Sequence, residues 1–131
     1  MIVLDTQVLV WWTTNFKRIS KKAMTELERA KKKHEICISS ISIWEVALLV
    51  KKRRLEFSVG FENWFNNIEN LSFIRFIPLD NSIAINSVKL PDFSNNDPAD
   101  RIIVATALSL GAKLITSDRR ILKYKGMETV W

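Results

Sequence analysis

The sequence contains almost none of the side chains that most often build disulfides and transition-metal sites. Its one cysteine, Cys37, excludes an internal disulfide and a cysteine cage for zinc. Its one histidine, His34, excludes a metal site with several histidine ligands. Glycine and proline are scarce as well, with three of each in 131 residues, which argues against a chain built of many tight turns. A metal bound here would therefore be held mainly by carboxylate oxygens.

Long apolar runs and targeting signals are missing too. No stretch reaches the length of about 18 apolar residues that a membrane-spanning helix needs. The N-terminus has no basic segment, and its apolar run is interrupted at Asp5, which is unlike a signal peptide. These absences predict a cytoplasmic protein that makes no contact with a membrane. The length predicts a single domain covering residues 1–131.

The composition is otherwise that of a globular protein with a basic bias. Hydrophobic residues make up 47% and charged residues 26% of the chain, which excludes a disordered protein. Lysine and arginine total 20 against 14 aspartates and glutamates, so the formal charge is +6. This excess is compatible with a polyanionic partner.

Strands and helices alternate along the chain. Apolar runs predict strands at residues 1–4, 35–39, 73–77, 113–116 and 127–131. Helical spacing and end signals predict helices at residues 6–12, 19–33, 41–52, 59–68, 81–90, 98–110 and 119–124. This order indicates an α/β fold with a mainly parallel central sheet of about five strands flanked by helices. In such sheets, ligands bind beyond the carboxyl ends of the strands.

Five acidic residues fall at or near that edge of the predicted sheet. Asp5 ends the first strand, Asp118 follows the fourth, and Glu45 lies one turn into the helix after the second strand. Asp97 and Asp100 open the helix that precedes the fourth strand. Clustered carboxylates repel one another unless a cation neutralises them. With oxygen ligands and no available histidine or cysteine, the cation would be Mg²⁺ or Mn²⁺.

The aspartates also have structural explanations. Asp5, Asp97 and Asp118 each precede a predicted helix, where aspartate is a favoured N-cap. Asp100 stands three residues after Asp97, which is the spacing of an acidic capping box, and an acid there also suits the helix dipole. Ser117 is an alternative cap for the last short helix.

Glu45 has no such explanation. It lies within the apolar stripe that we expect to face the core, which consists of Ile41, Trp44, Leu48 and Leu49. An ionised carboxylate in apolar surroundings is costly unless it is paired or binds a metal. The structural alternative is an ion pair with a nearby arginine such as Arg101.

Several aromatic residues have helical spacing that predicts where they lie. Trp44 and Trp64 are expected to face the core. Trp11 and Trp12 are adjacent, so we expect one to pack in the core and the other to meet a partner. Cys37 is expected to be an inert buried residue.

Four stretches in the same order resemble the PIN-domain nucleases and, within them, the VapC-type toxins of toxin–antitoxin pairs. They are VLDTQVLVWW at residues 3–12, ISSISIWEVALLVKKRRL at 38–55, NDPADRIIVATAL at 96–108, and LITSDRRI at 114–121. The resemblance spans the whole chain. It implies a three-layer PIN-like fold and an endoribonuclease acting on RNA. It also implies a cognate antitoxin as partner and a homodimer of the toxin.

The resemblance also implies roles for individual residues. Asp5, Glu45, Asp100 and Asp118 match the catalytic acidic quartet, which holds Mg²⁺ or Mn²⁺. Asp97 matches an additional acid, and Thr6 and Thr116 match supporting hydroxyl residues near the metal. Gln7 departs from the pattern, since relatives often have histidine there.

Within this set, we expect Asp5, Asp100 and Asp118 to be the principal metal ligands. Glu45 either joins them, directly or through water, or orients the attacking water, and Asp97 is a further possible ligand. Basic residues beside the acids are candidate contacts for RNA phosphates, namely Arg101, Arg119 and Arg120.

Three other protein classes fit these features less well. A phosphatase of the HAD type needs a second aspartate two residues after the first, where this chain has Gln7. A receiver domain needs neighbouring acids near the start and a phosphoacceptor after a central strand, and neither pattern is clear. A PIN-fold protein that binds RNA or a partner without cleaving is the main alternative, and the complete acidic quartet argues against it.

Overall fold

Five short strands form the centre of the molecule in the computed structural model, which describes residues 1–131. The strands are β1 (Ile2–Leu4), β2 (Ile36–Ser39), β3 (Ile74–Ile77), β4 (Lys113–Ile115) and β5 (Thr129–Val130). They form one sheet in the order β3-β2-β1-β4-β5, and every neighbouring pair is parallel. The predicted five-stranded α/β fold is therefore confirmed.

Seven helices flank this sheet. They are α1 (Thr6–Thr14), α2 (Lys21–Lys32), α3 (Ser40–Lys51), α4 (Phe61–Glu69), α5 (Asn81–Val88), α6 (Pro98–Leu110) and α7 (Arg119–Leu122). A 3₁₀ turn at Phe16–Arg18, which the sequence patterns did not predict, joins α1 to α2. No helix is both long and apolar enough to cross a membrane.

The two faces of the sheet are buried under separate hydrophobic cores. Along β1, Ile2 and Leu4 belong to the core that includes residues of α1, α2 and α4, whereas Val3 belongs to the core under α6 and α7. This alternation is the period of two that a strand imposes on its side chains. The central strands are buried on both faces, which explains why their sequences are continuous apolar runs.

Aspartate side chains cap three helices at the carboxyl edge of the sheet, which are α1, α6 and α7. The Asp5 carboxylate accepts from the Thr6 N–H at 2.8 Å, and Asp118 accepts from the Arg120 N–H at 2.8 Å. Asp97 accepts from the N–H of Asp100 at 3.0 Å. The capping interpretation is therefore correct for these three aspartates. Capping uses part of each carboxylate and leaves the remaining oxygens available to other partners.

Helix α3 differs from the prediction in the face that it buries. Its buried residues are Ser42 and Val46, and Trp44 is 55% exposed, so the expected core position of Trp44 is wrong. The reason is that α3 is apolar on nearly all sides, and apolar spacing alone does not select one face of such a helix.

The other predicted core residues are mostly confirmed. Trp64 and Cys37 are buried, with 4% and 1% of their surface exposed. The expected difference between Trp11 and Trp12 is not found, since both are half-buried. Each packs against another aromatic ring, Trp11 against Trp131 and Trp12 against Phe73.

Candidate active site

A pocket at the carboxyl edge of the sheet brings the predicted acids together. Its wall contains Asp5 after β1, Glu45 of α3, Asp97 and Asp100 at the start of α6, and Asp118 after β4. The pocket has a volume of about 660 Å³, which is within the range of ligand sites, roughly 300–1,000 Å³. The parallel strands β1 and β4 are neighbours, so the acids that follow them necessarily meet at the same edge.

Asp5 is the most deeply buried of these acids, with 7% of its surface exposed. One carboxylate oxygen accepts from the Thr6 N–H, and the other accepts from the hydroxyl of Thr116 at 2.6 Å. Burial raises the pKa of Asp5 to about 6, and the charges of Asp100 and Asp118 act in the same direction. The two hydrogen bonds oppose this effect without overcoming it.

Thr116 connects the two strand ends as well as holding Asp5. It is fully buried, and its Oγ1 donates to Asp5 while accepting from the N–H of Asp118 at 3.0 Å. One hydroxyl therefore links the acid after β1 to the acid after β4. Thr116 therefore lies beside the predicted acids, and its supporting role at a metal site stays a prediction.

Glu45 is half-buried and is positioned by α1. The Thr6 hydroxyl lies 2.6 Å from Glu45 Oε1 and 3.0 Å from the hydroxyl of Ser42. A hydroxyl has one hydrogen, so Thr6 can donate to Glu45 and accept from Ser42. Burial raises the pKa of Glu45 to about 7, and the charges of Asp100, Asp5 and Asp97 add to the rise.

The alternative in which Glu45 pairs with Arg101 is wrong. The Arg101 guanidinium donates instead to four main-chain carbonyls, those of Ser87, Val88, Phe93 and Asn95, at 2.7–3.2 Å. These bonds fasten the start of α6 to the end of α5 and to the loop between them. A structural clamp thus takes the place of the RNA contact that the sequence suggested for Arg101.

Asn95 is a site residue that the sequence patterns did not reveal. Its side chain is buried, its Nδ2 donates to Asp100 Oδ2 at 2.9 Å, and its Oδ1 accepts from the N–H of Asp97 at 2.9 Å. The N–H that a capping box would pair with Asp100 is therefore taken by Asn95, and the reciprocal half of the predicted box is absent. Burial raises the pKa of Asp100, and the Asn95 hydrogen bond partly offsets this effect. An asparagine two residues before a helix-capping aspartate was the available signal.

Asp118 has the closest cationic partner of the acids in the pocket. Arg120 donates to it from Nη2 at 2.9 Å and from Nε at 3.3 Å, and these bonds lower the pKa of Asp118. The same Nη2 lies 3.4 Å from Asp100 Oδ2. Arg119 is exposed and makes no side-chain hydrogen bond or ion pair.

Gln7 and Arg54 also line the pocket. Gln7 is the position at which the sequence departs from the family pattern, so its amide contributes directly to the wall of the site. Arg54 follows the end of α3, and no feature of the sequence had indicated that it would lie here. It adds a second cation to the rim.

The chemistry of the pocket suits a hard divalent cation. Its charged donors are carboxylate oxygens, and neither histidine nor cysteine is among the lining residues. Burial raises the pKa values of Asp5, Glu45 and Asp100, and the neighbouring carboxylates add to the rise, so a bound cation would stabilise their charged forms. No three of the acids lie close enough to share one ion in this conformation, so metal binding would require their side chains to draw together.

A larger groove of about 860 Å³ lies elsewhere, between the 3₁₀ turn and α2. One acid, Glu28, lines it among several basic residues, which are Lys17, Lys21, Arg29, Lys32 and Lys33. It contains no group of converging carboxylates. Size alone would therefore select the wrong cavity as the centre of the chemistry.

Comparison with known proteins identifies relatives of the same architecture. The sequence matches the family model for the PIN domain over residues 2–127. Ribonuclease VapC22 of Mycobacterium tuberculosis is 32% identical over 132 aligned residues, covering 99% of this chain and 98% of that protein.

Solved structures agree with this result at the level of the fold. VapBC2 from Rickettsia felis, bound to a DNA fragment from its promoter, has a TM-score of 0.74 at 18% identity, covering 98% of this chain and 97% of that one. A toxin–antitoxin complex from Klebsiella pneumoniae has a TM-score of 0.66 at 24% identity, covering 97% and 95%.

Proposed function

The chain belongs to the PIN-domain family and to its VapC branch, and we propose that it is a Mg²⁺- or Mn²⁺-dependent endoribonuclease, the toxin of a toxin–antitoxin pair. In this proposal it hydrolyses RNA phosphodiester bonds in the cytoplasm and thereby inhibits translation and growth. The observation that supports it most strongly is the pocket in which acids from β1, α3, α6 and the end of β4 converge. Three carboxylates with raised pKa values in one cleft are typical of a functional site, which supports the same proposal.

Asp5, Asp100 and Asp118 are the proposed metal ligands, and Glu45 and Asp97 take part directly or through water. A bound divalent ion would activate water and stabilise charge on the phosphate. Thr116 orients Asp5 and the start of the Asp118 loop, so that two of the ligands are positioned by one buried hydroxyl. Asn95 positions Asp100 in the same way.

Glu45 is the proposed group that orients the attacking water or accepts its proton. Thr6 holds Oε1, which leaves Oε2 free to face the pocket. A carboxylate with a pKa of about 7 is well matched to proton transfer near neutral pH. Within this proposal, Thr6 is a positioning residue for Glu45.

Phosphate contacts are assigned to the arginines of the rim. Arg119 and Arg120 directly follow Asp118, and Arg54 lines the same pocket. Contacts of this kind give affinity that falls with added salt and carry little base specificity.

The proposed protein partners are a cognate antitoxin and a second copy of this chain. The antitoxin is suggested by the structural neighbours, which include a toxin–antitoxin complex. The homodimer is suggested by exposed apolar side chains on two helices that both pack on α6, namely Trp44 of α3 and Ile85 and Val88 of α5.

The test is cleavage of a fluorescently labelled RNA with Mg²⁺ or Mn²⁺ and with EDTA. We expect cleavage to require the metal and to fall by more than about a hundredfold in Asp100→Asn. Asp92→Asn is the matched control, because Asp92 is exposed at a positive φ of 58°, a conformation that asparagine adopts well. Activity that survives EDTA, or that is equal in the two variants, would contradict the metal-dependent mechanism and favour a PIN-fold protein that binds without cleaving.

The toxin role has a separate test. Expression of the chain alone in a bacterial host is expected to arrest growth, whereas Asp100→Asn expressed to the same soluble level is not. Continued growth with soluble, active wild-type enzyme would contradict the toxin role and leave the nuclease activity in place.

A further inference from the structure

One cationic side chain lies against two carboxylates of the pocket. Arg120 Nη2 is 2.9 Å from Asp118 Oδ2 and 3.4 Å from Asp100 Oδ2. The two acids come from opposite ends of a long stretch of chain, one at the start of α6 and the other just before α7. Arg120 therefore connects two of the proposed metal ligands.

The exposure of the three side chains is unequal. The Arg120 side chain is 64% exposed, whereas Asp118 is 25% and Asp100 is 14% exposed. The acids are held by buried partners, Asp100 by Asn95 and the Asp118 main chain by Thr116. The arginine can therefore turn into solvent without disturbing the buried contacts of the acids.

We propose that Arg120 is an internal counter-ion that competes with the divalent cation for Asp100 and Asp118, and that turns to the RNA phosphate once the cation is bound. The inference rests on the proposed function, since it assumes that these carboxylates bind metal. It assigns to Arg120 two roles of opposite effect, one that weakens metal binding and one that strengthens substrate binding.

The physical reason is competition for the same oxygens. A guanidinium that donates to Asp118 Oδ2 and lies beside Asp100 Oδ2 occupies lone pairs that a metal would need. A divalent cation carries twice its charge and would repel it at close range. The displaced guanidinium would remain at the rim of the pocket, and its planar fork matches a phosphate better than a lysine does.

Arg119 supplies a matched control, because it has the same side chain as Arg120 but does not contact the acids. It precedes Arg120 on α7, carries the same charge, and makes no contact with the acids. Replacing either arginine by glutamine changes the net charge of the protein by the same amount. A difference between the two variants therefore reports the contact made by Arg120 and not the general field of the protein.

The first measurement is calorimetric titration of the full chain with Mn²⁺ in the absence of RNA. We expect Arg120→Gln to bind Mn²⁺ about tenfold more tightly than wild type, and Arg119→Gln to bind with nearly wild-type affinity. The thermal midpoint should rise more on addition of Mn²⁺ in Arg120→Gln than in wild type, because tighter binding stabilises the folded state further.

The second measurement is RNA cleavage at saturating Mn²⁺. Arg120→Gln is expected to lower kcat/KM about tenfold despite its tighter metal binding, since one charged contact to phosphate is lost. Arg120→Lys should restore much of the competition with metal and less of the cleavage, because lysine lacks the planar fork.

The outcomes separate this inference from the function on which it rests. Unchanged or weaker Mn²⁺ binding in Arg120→Gln, in an enzyme whose cleavage still needs metal, overturns the role of Arg120 alone. An equal gain in Arg119→Gln also overturns it, since a general charge effect would then suffice. Absence of Mn²⁺ binding in wild type and in every variant contradicts the metal site itself.

Discussion

Acidic residues have different surroundings at the two edges of the parallel sheet. At the amino edge, three acids lie next to cations. Glu35 pairs with the N-terminal amine at 3.2 Å, and Lys113 lies 3.7 Å from Glu26 and 3.3 Å from Glu128. At the carboxyl edge, five acids line one pocket. Arg120 is the one cation that forms ion pairs there, with Asp100 and Asp118.

The difference in burial follows the difference in charge. The side chains of Glu35 and Glu128 at the amino edge are 42% and 65% exposed, and Glu26, at 17%, has two cations beside it, Arg29 and Lys113. Asp5 at the carboxyl edge is 7% exposed and forms no ion pair. Water and neighbouring cations stabilise charge at the first edge, and neither does so fully at the second. Carboxylates whose charge is incompletely stabilised are typical of binding sites, since a bound ligand can supply the missing stabilisation.

Replacing one acid at each edge by its amide should give the largest difference in RNA cleavage. Asp5→Asn is expected to lower metal-dependent RNA cleavage by more than about a hundredfold, because a neutral amide is a poor ligand for a hard cation. Glu35→Gln should leave cleavage unchanged. The introduced asparagine can still accept from the Thr6 N–H, and its amide can donate to the Thr116 hydroxyl, so both variants should fold. A comparable loss in the two variants, measured with circular dichroism as the control for folding, would remove the distinction between the edges.

The pH dependence of stability should reveal the same contrast without RNA. In the metal-free fold, the pKa of Asp5 is about 6 and that of Glu45 about 7, above their ordinary values of 3.8 and 4.5. Between these limits the folded state holds protons that the unfolded state has released, so stability falls as the pH rises from about 4 to about 7. Asp5 alone is expected to lower the free energy of unfolding by roughly 2–3 kcal/mol over this range.

Urea denaturation in EDTA at pH 5 and pH 8 measures the upper part of this fall, about half of the Asp5 contribution and most of that of Glu45. Asp5→Asn should reduce the fall and leave the part that is due to Glu45, whereas Glu35→Gln should not change it. Saturating Mn²⁺ at pH 8 should restore the stability, because the cation binds the deprotonated carboxylates of the folded protein. A wild-type protein that gains stability on going from pH 5 to pH 8 in EDTA would show that the carboxyl edge is already neutralised.

Glu45 extends the comparison to the helical part of the carboxyl edge. Glu45→Gln is expected to lower cleavage about tenfold or more while preserving stability, because the glutamine amide keeps an acceptor for Thr6 and loses only the charge. Glu56→Gln is the matched control, since Glu56 is exposed and lies outside the acidic pocket. Reduced stability with full activity would instead assign Glu45 a purely structural role.

The placement of the acids was predictable because it follows from topology. Continuous apolar strands indicate a parallel sheet, and residues that follow parallel strands meet at one edge. This argument needs no knowledge of side-chain contacts and accounts for the placement of Asp5 and Asp118. Asp100 lies at the same edge because α6 leads into the amino end of β4, so that its own start is at the opposite, carboxyl edge. Glu45 was found because it stands out in an apolar helix, although the face of α3 that is buried was not the one expected.

The contacts that tune the site were not predictable in the same way. Arg101 and Asn95 act through a loop whose path has no periodicity, so their partners depend on where the loop carries its carbonyls and N–H groups. Arg119 and Arg120 are identical in sequence terms, and about 100° of rotation on α7 decides which one meets the acids. The partners of these side chains are therefore determined by tertiary packing and not by the local sequence pattern.

The smallest expected effect belongs to the amino edge. Lys113→Gln removes the cation shared by Glu26 and Glu128, and we expect it to lower the free energy of unfolding by less than about 1 kcal/mol, because exposed ion pairs contribute little. The loss should shrink further in high salt, which already screens these charges. RNA cleavage should be unaffected, since Lys113 begins β4 at the edge opposite to the pocket. A large change in cleavage would mean that the two edges are energetically coupled through β4, and that the separation between a stabilising edge and a reactive edge is incomplete.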